Sequence, residues 1–102
     1  MYPYKQIIED IKNQILEKFK PIDIILFGSF AKGLVRKHSD IDICVITYTD
    51  NKRELVRDIL LEVDCDFDLD VVVYTPEQWQ RYQDDKAMFA NVIKRTGVSL
   101  IG

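Results

Sequence analysis

Three short stretches hold residues whose types and spacing can do chemistry. The first is Gly28-Ser29-Phe30-Ala31-Lys32-Gly33. Gly28 follows an apolar run, where a chain lacking Cβ can turn sharply and let a ligand approach the backbone. Ser29 adds a hydroxyl and an amide at the same place. A short helix opening at Phe30 would present free N–H groups, which form an anion site. That combination suits a triphosphate. The second stretch is Ser39-Asp40-Ile41-Asp42. Residues two apart in a strand face the same way, about 6.5 Å apart. Two carboxylates on one face repel each other unless a cation sits between them, and oxygen ligands beside phosphate favour Mg²⁺. Aspartate is also a poor strand former, so its place at the head of a strand needs a reason. The third stretch is Asp68-Leu69-Asp70, again two carboxylates on one face. Asp70 directly precedes the apolar run Val71–Tyr74 and is the preferred third carboxylate, with Asp68 as the alternative.

These side chains need strands and helices to hold them. Ile7, Ile8, Ile11, Ile15 and Phe19 recur at three- and four-residue steps, which predicts a helix over 4–19, stopped by Pro21. Residues 22–27 (IDIILF) read as a strand buried on both faces. Residues 41–47 (IDICVIT) and 67–74 (FDLDVVVY) read as two more strands. Between them a helix over 51–63 would turn Leu55, Ile59, Leu60 and Val63 inward, with Asn51 and Glu54 at capping-box spacing. Thr75-Pro76-Glu77-Gln78 has the form of a helix start. A last helix is expected from about Asp85 to Arg95, ended by Gly97, with the tail VSLIG as a short edge strand. Three core strands with helices between them make one α/β sheet. The connection between the first two is too short for an ordinary crossover helix, so a mixed sheet is expected rather than a fully parallel one.

The pattern GSxAxG, then SDxD, then a strand-borne Asp resembles the DNA polymerase β-like nucleotidyltransferase superfamily. The short chain resembles its minimal, MNT-type branch. The likeness covers roughly residues 20–77. It implies a polymerase β-like fold and a metal-dependent transfer of a nucleotide, AMP foremost, from ATP or another NTP to a hydroxyl on a macromolecule. By position, Gly28 and Ser29, with Gly33 and Ser39 beside them, would bind the nucleotide. Asp40, Asp42 and Asp70 would hold two magnesium ions and form the catalytic set, with Asp70 helping to deprotonate the acceptor. In that branch the transferase is often the antitoxin of a toxin–antitoxin pair whose other half is a helical HEPN-type protein. The competing reading is a nucleotide-binding or partner-occluding subunit with little turnover of its own.

Composition bounds these readings. The chain has 102 residues, 47% hydrophobic and 30% charged, which is one domain's worth, 1–102. A net charge of −3 argues against a general nucleic-acid binder. Lys32, Arg36 and Lys37 either attract the triphosphate or line a solvated loop, and His38 either bonds a phosphate or is an exposed loop residue. No run of about 18 apolar residues is present for a membrane span. Cys44 and Cys65 lack metal-ligand spacing and fit a reducing cytoplasm. The core elements use nearly all of the chain, so part of the site is expected to come from a partner or a second copy. The contact surface would be the C-terminal segment, through Trp79, Tyr82, Met88 and Phe89. The alternative is that these residues cover the open face of the sheet.

Overall fold

In the computed structural model, residues 3–36 and 39–101 are described; Tyr2, Lys37 and His38 lie outside them. The elements are α1 (Pro3–Phe19), β1 (Asp23–Phe27), α2 (Gly28–Lys32), β2 (Ile41–Ile46), α3 (Lys52–Glu62), β3 (Leu69–Tyr74), α4 (Pro76–Tyr82), α5 (Phe89–Thr96) and β4 (Val98–Ser99). The strands form one mixed sheet in the order β3-β2-β1-β4. β1 pairs antiparallel with β2 and with β4, whereas β2 and β3 run parallel. The expected mixed sheet and short fourth strand are both present. The short β1–β2 connection permits the antiparallel pairing and holds α2.

Strand alternation divides the core between the two sheet faces. Ile24, Leu26, Ile41, Ile43, Val45 and Val73 pack on one face with Ile11 and Ile15 of α1 and Ile59 of α3. Ile25, Phe27, Cys44 and Ile46 pack on the other with Ile93 of α5, and Trp79 is partly buried beside them. Asp42 and Asp70 belong by parity to this second face, which has the smaller apolar cover. One end of it is therefore left for polar side chains.

Two boundaries and one helix face differ from the sequence reading. β3 begins at Leu69 rather than Phe67, because Phe67 turns aside into an aromatic cluster and its N–H donates to Cys65 Sγ at 3.4 Å. α5 begins at Phe89 rather than Asp85, because Asp85 closes a turn, accepting from Ala87 N at 3.0 Å on its carboxylate and from Met88 N at 2.9 Å on its carbonyl. On α3, Leu55, Ile59 and Val63 pack inward as expected, but Leu60 is 47% exposed and Val56 takes its place on the inner face. The Thr75 cap is a full capping box with Pro76 in the first turn. Thr75→Ala should lower stability by about 1 kcal/mol in a denaturant titration and leave nucleotide binding unchanged.

Candidate active site

Gly28 ends β1 and opens α2 with φ +73, a left-handed conformation that side chains rarely adopt. Space imposes a second demand. A Cβ built on Gly28 would collide with Oδ2 of Asp42 and lie 3.0 Å from its Cγ. The glycine therefore lets the turn between β1 and α2 lie directly against the carboxylate. Gly33 also has positive φ, +72, but a Cβ there meets nothing. It is the C-cap of α2, with its N–H donating to Phe30 and Ser29 carbonyls. Ser29 sits half-buried in the first turn of α2. Ser39 closes the turn that leads into β2, its hydroxyl oxygen accepting from Arg36 N at 2.7 Å.

The parallel register sets Asp42 directly opposite Asp70. Asp68 instead lies before β3 and gives its carbonyl to Ile41 N at 2.8 Å. Of the two candidates, Asp70 is thus the one brought against the first pair. Asp42 is half-buried, while Asp40 and Asp70 are exposed at the mouth of the strands. Burial, then the charge of Asp70 and a hydrogen bond with it, then the charge of Asp40, push the Asp42 carboxyl up to about 6. Asp42 and Asp70 share a side-chain hydrogen bond, and Asp40 acts on Asp42 through charge alone. Among the described residues no group of three or more His, Cys, Asp or Glu side chains is placed to hold a metal ion by itself. The donor set still fits magnesium, which commonly takes one or two carboxylates and completes its shell with substrate phosphate and water.

An aromatic cluster with no signature in the sequence supports both halves of the site. Phe30 of α2 meets Tyr4 edge-on at 5.5 Å and Phe67 at 5.4 Å, and Tyr4 meets Phe67 at 5.8 Å. Such pairs hold their geometry through the ring quadrupoles. The cluster joins α1, the turn bearing Gly28 and Ser29, and the segment entering β3. Gln14 adds a second tie, donating to Asp64 O at 2.9 Å and accepting from Asp64 N at 2.8 Å.

Both cysteines are free; Cys44 is fully buried and its thiol is pushed up to about 12, chiefly by burial. No described helix is long and apolar enough to cross a membrane. Trp79 packs against Tyr74 at 5.7 Å, which places it with the sheet cover, while Phe89 remains 50% exposed.

A family model described as a nucleotidyltransferase domain matches residues 8–99. A Methanocaldococcus jannaschii chain named "Putative protein adenylyltransferase" is 36% identical over 69 residues, which covers 57% of this chain and 47% of that one. The chain thus spans about half the length of the curated relative it matches. Two crystal structures share the fold. A mutant of the toxin–antitoxin MntA-HpeT matches with a TM-score of 0.57 and 26% identity over 96% of this chain and 71% of that one. A toxin–antitoxin with AMP-PNP matches with a TM-score of 0.52 and 27% identity over 96% and 72%.

Proposed function

Because this chain belongs to the nucleotidyltransferase-domain family, in the minimal form resembling MntA, we propose that it moves AMP from ATP to a hydroxyl on a protein. The observation that carries this reading is the meeting of Asp42 and Asp70 beside the Gly28 turn. A carboxylate pair that repels itself in the free protein is set for a cationic, phosphate-bearing ligand. Gly28 and Ser29 hold the triphosphate by backbone and hydroxyl groups. Lys32 and Arg36, both exposed nearby in sequence, draw it in. Asp40, Asp42 and Asp70 would hold magnesium. When bound, the metal supplies positive charge to the phosphate oxygens and lowers the pKa of the attacking hydroxyl. The acceptor oxygen bonds to the α-phosphorus, the bond from that phosphorus to the bridging oxygen breaks, and pyrophosphate leaves. Asp70, the more open member of the pair, takes the hydroxyl proton and passes it to water.

The acceptor is proposed as a partner protein. The named relative is an adenylyltransferase of protein, and the structural neighbours are toxin–antitoxin complexes. A helical HEPN-type toxin would suit this chain as antitoxin, and the partner or a second copy would complete the site. A reaction that consumes ATP with magnesium would suit the cytoplasm.

The test is to purify the chain with its genomic neighbour, add ATP with magnesium or with a chelator, and weigh both proteins intact. A partner that gains the mass of AMP only with magnesium supports the reading. Tight ATP binding without any mass gain would replace it with the partner-occluding subunit.

A further inference from the structure

We propose that Phe89 is the stacking platform for the nucleobase of the bound nucleotide. This deepens the nucleotide-transfer reading and rests on it. Phe27 is the register partner of Asp42 on the neighbouring strand, and it immediately precedes Gly28. Phe27 itself is buried. The ring of Phe89 meets it edge-on, centroids 5.7 Å apart. An aromatic face therefore stands one side chain away from the paired carboxylates and the phosphate-binding turn.

The residue is otherwise open to water: Phe89 is 50% exposed. The sheet-facing positions of α5 are Ala90 and Ile93, both fully buried. Asn91 is nearly so, its side chain donating to Gln83 O at 2.7 Å and accepting from Arg95 Nε at 2.8 Å. These bonds fix the rotation of the helix, so Phe89 cannot roll into the core and its outer face stays available. Val92, three residues on and 38% exposed, extends the same apolar strip. A large apolar ring kept half-wet costs stability. A flat purine has the shape and polarity to cover it, and any base can stack because each has a π-face. Nothing else among the residues of the site supplies a wall for the base: the others bind phosphate, hold a cation or turn the chain.

A purely structural role, covering Phe27, makes a different forecast for leucine, which keeps the apolar cover and loses the π-face. Affinities for ATP and for inorganic tripolyphosphate, each with magnesium, should be measured by calorimetry in the wild type, Phe89→Ala, Phe89→Leu and Phe89→Tyr. Stacking predicts that alanine and leucine each weaken ATP by at least about tenfold, that tyrosine restores it, and that tripolyphosphate affinity does not move. If leucine binds ATP as well as phenylalanine, or ATP and tripolyphosphate weaken together, the platform is disproved. Wild-type protein that binds tripolyphosphate as tightly as ATP would remove the platform and leave the triphosphate site standing. Wild-type protein that binds neither would remove both.

Discussion

Asp42→Asn should act in opposite directions on activity and on stability. Transfer of AMP should fall by at least about a hundredfold, because the substitution removes an anionic ligand from a site whose metal is expected to contribute several kcal/mol at the transition state. The melting temperature of the metal-free protein should rise. The Asp42 carboxyl titrates near 6 in the folded chain against an ordinary value of 3.8. The folded state therefore holds a proton that the unfolded chain has released. The stability this proton confers is fully present below pH 3.8 and is lost as pH rises through 6. Asparagine never ionises and escapes that loss. The gain at pH 7.5 should be about 1 kcal/mol once solvent screening of this partly exposed carboxylate is allowed for. In a domain of this size that is a rise of about 4–8 °C. Below pH 4 the two proteins should melt within a degree or so of each other. Thermal melts across pH, beside a transfer assay, check both halves. Asp70→Asn should match the loss of activity, and Asp68→Asn should leave transfer within about twofold of the wild type.

Gly28→Ala should be nearly as damaging, for a reason of space. The new methyl would occupy the position of an Asp42 carboxylate oxygen, and the residue would have to keep a φ of +73. Relief requires Asp42 to swing away or β1 and α2 to separate. Either outcome misplaces a reacting group by about an ångström, a displacement that can cost a hundredfold in rate. The left-handed backbone alone adds about 1 kcal/mol of strain. Gly33→Ala is the matched control. It carries the same backbone strain with open space around the methyl, so it should lose about 1 kcal/mol of stability and keep activity within a fewfold. Steady-state kinetics and denaturant midpoints on the pair separate strain from collision.

The chemistry of this chain was legible where it is local in sequence. The shared face of Asp40 and Asp42 follows from strand alternation, and the turn at Gly28 follows from an apolar run ending in glycine. The mixed sheet followed from the length of one connection. What could not be read depends on pairings between distant segments. The place of Asp70 before the apolar run Val71–Tyr74 favours it over Asp68 in the sequence, but the register that sets it directly opposite Asp42 is a property of the parallel β2–β3 ladder. Tyr4, Phe30 and Phe67 are scattered along the chain, and only the fold brings their rings together. α5 starts at Phe89 rather than at about Asp85 because Asp85 closes a turn through contacts that composition does not reveal. The packing of Phe89 on Phe27 was hidden for the same reason: a helix position one step off the buried stripe has no signature of what its side chain will meet.

The most direct measurement is a calorimetric titration of ATP into the wild type and into Asp42→Asn, each with and without magnesium. A carboxylate pair that binds the metal with the triphosphate predicts that magnesium tightens ATP by at least about tenfold in the wild type and leaves the mutant unchanged. If Asp42→Asn retains the full magnesium dependence, the pair does not hold the metal and the assignment of the site is wrong.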